Sequence, residues 1–83
     1  MNDNDISRCL SKIFDAPIDV SKMDDREDLR IYGLNSIKAI ELIINLEEAL
    51  CVEVNDEDLT IDNVSTVGKI KSLINKYDIA KGI

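Results

Sequence analysis

Apolar residues recur at helical spacing in three stretches of this chain, and this pattern predicts an all-α fold. The stretches cover residues 6–14, 36–50 and 67–77. An acidic run at 55–58 predicts the start of a short fourth helix that ends near Ile61. The sequence therefore predicts a small four-helix bundle of three longer helices and one short one, with a long loop between helices 1 and 2.

The ends of the predicted helices are marked by capping and breaking residues. Asp3 or Asn4 is expected to cap the first helix, Pro17 lies just beyond its end, and Ser65 or Thr66 begins the last helix. The residues expected to face the core share helical spacing within each segment. They are Ile6, Cys9, Leu10, Ile13 and Phe14, then Ala39, Leu42, Ile43, Leu46 and Leu50, then Val67, Ile70, Leu73, Ile74 and Tyr77.

The connection between the first two helices is about twenty residues long, which is unusual for a small domain and disfavours a simple up-and-down bundle. Apolar residues within it are expected to hold it against the core, namely Ile18, Val20, Met23, Leu29 and Ile31. Lys76, Lys81 and Gly82 mark the end of the last helix, and residues 78–83 are expected to form a frayed tail. We therefore predict one domain over 1–83 with its core at about 6–77.

The amino-acid composition and net charge disfavour some classes of function. Aromatic residues make up only 4% of the chain, so the core must be aliphatic, and the net charge of -7 disfavours a small helical DNA-binding domain. An acidic surface favours partners with basic surfaces. No apolar run approaches the roughly 18 residues of a membrane span, and the acidic N-terminus does not resemble a signal peptide. We expect a monomer in the cytoplasm.

The reactive side chains are few. Cys9 and Cys51 lie far apart at apolar helical positions, which favours buried free thiols in a reducing cytosol over a disulfide. The chain has no His, so it lacks the commonest general base and the commonest metal ligand. We accordingly predict no metal site and no catalytic residue.

Ser36 is the most informative residue, because a glycine-led turn from Gly33 delivers its hydroxyl to the first turn of a helix. Free N–H groups and the positive end of the helix dipole favour an anion there, such as a phosphate ester. The alternative is that Ser36 only caps the helix, although Ala39 stands where a capping box needs Glu or Gln. A hydrolase that uses Ser36 is disfavoured, because an activated serine needs a base and a shaped oxyanion loop.

The string Gly33-Leu34-Asn35-Ser36-Ile37 resembles the G-x-[D/N/H]-S-[L/I/M] signature of the acyl carrier protein family, which includes peptidyl carrier domains. The resemblance extends over about 6–77, in an acidic domain of the family's usual size. It implies that Ser36 carries 4′-phosphopantetheine, transferred from coenzyme A by a separate Mg²⁺-dependent phosphopantetheinyl transferase. The thiol of that arm holds acyl or aminoacyl groups as thioesters for loading and condensing enzymes. The resemblance thus implies a shuttle, not an enzyme.

Two positions depart from the common fatty-acid carriers, which have Asp before the serine and an acidic residue two positions after it. Here these positions hold Asn35 and Lys38. The departure favours a specialised acyl, polyketide or nonribosomal peptide pathway. A housekeeping carrier of fatty-acid synthesis and an unmodified carrier-like interaction module remain the alternatives.

The second helix carries a further apolar row beside its inward stripe, with acidic residues next to it. In the carrier family this helix and the short helix make most partner contacts. The alternative is that the acidic residues are a solvated face and the isoleucines belong to the core. The resemblance implies a partner-binding surface made of Ile37, Ile40, Glu41, Ile44, Glu47, Glu48, Val54 and Asp56.

Overall fold

A computed structural model describes residues 2–81 of the chain, with side chains described for 2–77. Three α-helices confirm the all-α prediction: α1 (Asp3–Phe14), α2 (Ser36–Leu50) and α3 (Val67–Lys81). Residues 78–81, which were predicted to form a frayed tail, are helical because α3 runs to Lys81, and this corrects the prediction. Residues 82–83 of the predicted tail lie outside the described residues. The described chain between the helices forms short 3₁₀ turns at Val20–Lys22, Leu29–Tyr32, Asp56–Asp58 and Ile61–Val64.

The predicted short fourth helix does not form as one helix. Two separate 3₁₀ turns occupy its place, and Thr60 between them is extended, with φ −128° and ψ 150°. The segment bends because Leu59 and Ile61, on either side of Thr60, both pack against the core. A continuous helix cannot pass through an extended residue, so the prediction of a single short helix is wrong.

The cap of α1 also differs from the prediction. Asn2, and neither Asp3 nor Asn4, caps the helix: its side-chain oxygen accepts the Asp5 N–H at 2.9 Å. The Asp5 carboxylate in turn accepts the Asn2 N–H at 3.4 Å. This reciprocal capping box requires a partner at the third helical residue, and Asp5 occupies that position only when the helix begins after Asn2.

The core is aliphatic, and its members confirm the predicted stripes of all three helices. In α1, Cys9 and Phe14 are only partly buried and pack against it. Each fully buried leucine or isoleucine contributes about 1.5–3 kcal/mol relative to an exposed one. The largest fully buried side chains are Leu10, Leu29, Leu42, Ile43, Leu46, Ile70, Val20, Val64 and Val67.

The interhelical loop, residues 15–35, is held to the core largely as predicted. Val20 and Leu29 are buried, and Ile18 and Met23 are partly buried. Ile31 is 72% exposed, so its predicted core position is wrong. The reason is local: a 3₁₀ turn has three residues per turn, so residues two apart lie on different faces, and Leu29 takes the inward one.

Both cysteines are free thiols, as predicted. Burial raises the pKa of the partly buried Cys9 thiol. Cys51 is exposed, which corrects the prediction that it is buried. It follows α2 in the left-handed conformation, with φ 55°, and so leaves the helical face on which its spacing placed it. Within the described part of the chain, no helix is both long and apolar enough to cross a membrane.

Candidate functional site

The turn before α2 sets the direction in which the helix begins. The 3₁₀ turn Leu29–Tyr32 ends at Gly33, whose φ of 104° is left-handed and therefore favours glycine. A Cβ at Gly33 meets no atom within 4 Å, so the backbone conformation, and not crowding, is the reason for glycine. Leu34 then enters the core. The chain thus arrives at α2 from a turn anchored on both sides by buried leucines.

Asn35, and not Ser36, caps α2. The Asn35 side-chain oxygen accepts the Lys38 N–H at 2.9 Å, and its carbonyl accepts the Ala39 N–H at 2.8 Å. Ser36 is therefore the first residue of the helix, which removes the alternative in which Ser36 is only a cap. Its side chain is exposed, and its hydroxyl makes no hydrogen bond within residues 2–81.

The first turn of α2 is favourable for a negative charge next to Ser36. The N–H groups of Ser36 and Ile37 have no hydrogen-bond partner in the described part of the chain, and the first turn contains no acidic residue. These groups carry the partial positive charge of a 15-residue helix. A phosphodiester on the Ser36 oxygen fits this environment, because it is an anion that the free N–H groups stabilise.

Lys38 does not face Ser36. Its ammonium group donates to the carbonyl of Ile13, in the last turn of α1, at 3.0 Å. A cation is stabilised by the free carbonyls at a helix C-terminus. This contact joins the end of α1 to the start of α2, a role that sequence reasoning missed because it depends on how the two helices pack.

Exposed apolar side chains lie on both sides of Ser36 along the chain. On α2, the apolar row of Ile37, Ile40 and Ile44 is exposed, with Ile37 at 71%. Ile31 and Tyr32 in the preceding turn are exposed as well. Sequence reasoning missed these two residues, although three-residue spacing from Leu29 is the signal that could have identified Ile31 as outward-facing.

Tyr32 presents a neutral phenol at this surface. A hydrogen bond to the Glu27 carboxylate raises the pKa of the Tyr32 phenol above its ordinary value. The side chain therefore adds apolar surface and a polar tip, without adding charge, next to the turn that leads to Ser36.

The acidic residues predicted to flank the row are not equivalent. Glu41, Glu48 and Asp56 are exposed, whereas Glu47 is half-buried and accepts the Val54 N–H at 2.9 Å.

Val54 itself is only 6% exposed and belongs to the core. Val54 is therefore unavailable to a partner, which corrects the prediction. The chain turns back after α2, and this return places Val54 inside while Glu47 binds its amide.

The described residues around Ser36 leave its hydroxyl without a hydrogen-bond partner. No acid or base in the described part of the chain bonds to the Ser36 hydroxyl, and no cluster of His, Cys, Asp or Glu suited to a metal ion occurs among those residues. The arrangement presents an accessible hydroxyl on a rigid helix start. That is the requirement for a site that a second protein modifies.

The domain thus presents the exposed, unbonded hydroxyl of Ser36 at the open start of a helix. A family model described as the phosphopantetheine attachment site matches residues 4–74, and the chain belongs to this family. Neither a curated protein nor a solved structure matches the chain significantly. Family members carry a covalently bound 4′-phosphopantetheine group, so the chain is a phosphopantetheine-carrying carrier protein.

Proposed function

We propose that Ser36 is the attachment point of 4′-phosphopantetheine and that this chain carries acyl or aminoacyl groups between partner enzymes. The observation that supports this most directly is the exposed Ser36 hydroxyl, which is unbonded in the described structure because Asn35 provides the cap. When bound, the prosthetic group supplies a terminal thiol to which such cargo is attached as a thioester. No described residue places a base in hydrogen-bond contact with the Ser36 hydroxyl, and we assign its activation to a separate transferase.

The residues around Ser36 each have a part in this proposal. Gly33 and Asn35 set the start of α2, and the free N–H groups of Ser36 and Ile37 stabilise a phosphodiester by about 0.3–1 kcal/mol. The exposed position gives a transferase, and later each partner, access to the same atom. Tethering then raises the effective concentration of the cargo at each partner's active site.

The residues beside Ser36 support a specialised pathway. Asn35 replaces the aspartate of the common fatty-acid carriers without loss of capping, because the two residues cap equally well. Lys38 replaces an acidic residue and binds α1 instead of extending an acidic surface. We therefore assign the carrier to a specialised acyl, polyketide or nonribosomal peptide pathway. We also place the carrier in the cytoplasm, because its two cysteines are free thiols and the cytoplasm is reducing.

The partner surface that we propose is the apolar row together with the exposed carboxylates beside it. The row supplies contact area, and Glu41, Glu48 and Asp56 supply negative charge. Such a surface fits a partner that has an apolar patch rimmed by Lys and Arg. Ile31 and Tyr32 extend the exposed apolar surface to the other side of Ser36 along the chain.

Intact-mass spectrometry tests the attachment. The chain is incubated with coenzyme A, Mg²⁺ and a broad-specificity transferase that has been validated on another carrier. The wild type is expected to gain one phosphopantetheine, and Ser36→Ala none. Ser72→Ala, which removes an exposed serine of α3, is the matched control and should be modified like the wild type. An unmodified wild type, or an adduct that persists in Ser36→Ala, would contradict the proposal.

The partner surface is tested with the same transferase as the probe. Ile40→Asp and Ile44→Asp should each lower kcat/KM about tenfold, equivalent to about 1.4 kcal/mol of lost contact. Ala49→Asp places the same charge on an exposed position of α2 outside the row and should change little. Equal losses in all three variants would argue against this surface. Mass spectrometry of the protein from its native cell then identifies the cargo and, through it, the pathway.

A further inference from the structure

The interhelical loop lies directly on the first turn of α3. The N–H of Gly68, the second residue of α3, donates to the Asp25 carbonyl at 2.8 Å. The next N–H, that of Lys69, donates to the Thr66 hydroxyl oxygen at 3.1 Å. Two of the N–H groups that a helix start leaves free are therefore satisfied, one of them by the loop.

Gly68 permits this approach because it has no side chain. A Cβ built on Gly68 lies 3.0 Å from the Asp25 carbonyl oxygen and 3.3 Å from the Asp25 Cβ. The backbone of Gly68 is helical and does not have a positive φ, so its conformation does not require glycine. Alanine favours a helix over glycine by about 1 kcal/mol. Close approach of the loop is therefore the physical reason for glycine here.

The same loop continues to Ser36 through a short series of fixed contacts. Asp28 pairs with Thr66 in an isolated bridge, and the Leu29 N–H donates to the Ser65 carbonyl at 2.7 Å. Leu29 is fully buried and begins the 3₁₀ turn that leads to Gly33 and α2. The loop therefore stays in contact with α3 or with the two residues before it as far as Leu29, seven residues before Ser36.

We propose that Gly68 is a positioning residue for Ser36: the absence of a Cβ lets residues 25–29 lie against the start of α3 and the two residues before it, and this contact sets where the turn presents the serine hydroxyl to the transferase. The inference rests on the proposed attachment at Ser36. The ion pair of Lys71 with Asp25, at 3.2 Å, joins the same elements, but it is solvent-exposed and contributes little. The backbone contact at Gly68 is the determining one.

The experiment compares Gly68→Ala and Gly68→Val with the wild type in steady-state transferase kinetics. A displaced Ser36 hydroxyl lowers the rate of the chemical step, so kcat should fall about threefold in Gly68→Ala and about tenfold in Gly68→Val. KM should change little, because the apolar row on α2 is untouched. Two-dimensional amide NMR of the unmodified protein should show shifted Ser36 and Ile37 resonances in both variants.

Two control variants separate positioning from stability and charge. Asn75→Ala raises helix propensity at an exposed site of α3 away from the loop, and Lys71→Met removes the ion pair. Both should keep wild-type kcat and wild-type Ser36 resonances. Thermal unfolding followed by circular dichroism checks that Gly68→Ala is folded, which its higher helix propensity favours.

The outcomes are distinct from those of the attachment test. Wild-type kcat and unmoved Ser36 resonances in Gly68→Ala overturn the inference. A kcat loss in Lys71→Met as large as that in Gly68→Ala also overturns it, because the ion pair is then the determinant. If the wild type is not modified at all, the proposed attachment fails, and the NMR comparison still decides whether Gly68 positions Ser36.

Discussion

The starts of α2 and α3 have the same kind of side-chain cap but lie in different surroundings. In α2 the Asn35 side chain accepts the N–H of Lys38 at 2.9 Å. In α3 the Thr66 side chain accepts the N–H of Lys69 at 3.1 Å. Each helix therefore has a polar cap, followed three residues later by a lysine whose amide binds it. The capping pattern alone does not tell these two helix starts apart.

The difference lies in what covers the first turn. In α3, Val67 is fully buried and the Gly68 N–H is bonded to the loop. In α2, Ser36 and Ile37 are exposed, and no described residue bonds to their N–H groups. A cap therefore prepares a helix start for a ligand only where the tertiary structure leaves that start open.

The largest expected difference concerns the apolar residue in each first turn. Val67→Ala removes buried methyl groups and should lower the free energy of unfolding by about 2 kcal/mol. Ile37→Ala removes an exposed side chain and should change it by less than about 0.5 kcal/mol. Urea denaturation measures both. Similar losses in the two variants would show that Ile37 is covered in solution and would contradict the difference between the open start of α2 and the covered start of α3.

The two caps should contribute equally, because a capping hydrogen bond is local. Asn35→Ala and Thr66→Ala should each lower the free energy of unfolding by about 1 kcal/mol, measured in the same way. Ser36→Ala is the control: it is not the cap, and we expect a change below about 0.5 kcal/mol. A Ser36→Ala loss as large as that of Asn35→Ala would contradict the assignment of the cap.

Substitutions of Lys38 and Lys69 should change the free energy of unfolding in opposite directions. Lys38→Met removes the hydrogen bond from the Lys38 ammonium to the Ile13 carbonyl and should cost about 0.5–1.5 kcal/mol in unfolding free energy. The Lys69 side chain is exposed, and its attraction to the Asp28 carboxylate is weaker than the contacts of Asp28 with Arg30. Lys69→Met therefore mainly removes a cation from a helix N-terminus and should gain about 0.3 kcal/mol. Chemical denaturation at low salt resolves the two signs. A gain in Lys38→Met would mean that the contact with α1 does not stabilise the protein.

The smallest expected effect is a pH dependence in the segment that leads to α3. Hydrogen bonds from the Tyr77 hydroxyl and the Lys76 ammonium hold the pKa of the Asp58 carboxyl below its usual value. The contribution to stability is full above the ordinary aspartate pKa of about 3.9 and is lost as the pH falls through the lower folded value. Asp58→Asn should therefore flatten the fall of the unfolding midpoint below about pH 4. An unchanged acid dependence in Asp58→Asn would count against this anchoring role.

Predictions from the sequence succeeded where neighbouring residues decide the outcome. The spacing of apolar residues predicted α2 over 36–50, which are its observed bounds, and the inward stripes of all three helices. It also predicted that Ile37, Ile40 and Ile44 lie outside the inward stripe, and they are exposed. These features follow from helical periodicity, which the sequence contains directly.

Three of the errors concern residues outside the helices, where the path of the chain changes direction. Ile31 faces outward because it lies in a 3₁₀ turn, two residues after the buried Leu29. Cys51 has a left-handed backbone conformation at the end of α2 and so leaves the helical face on which its spacing placed it. Val54 enters the core because the chain turns back toward Glu47. Three-residue spacing accounts for Ile31, but the positions of Cys51 and Val54 depend on the path of the chain after α2, which no spacing rule contains.

Residues close together in the sequence are enough to predict that this chain forms helices, which faces of them are apolar, and that Ser36 follows a glycine turn at the start of one of them. Those properties depend on interactions over a few residues. Only the tertiary structure decided that the start of α2 stays open while that of α3 is covered. That outcome depends on the loop that crosses from α1 to lie at Gly68, a contact between residues far apart in the chain.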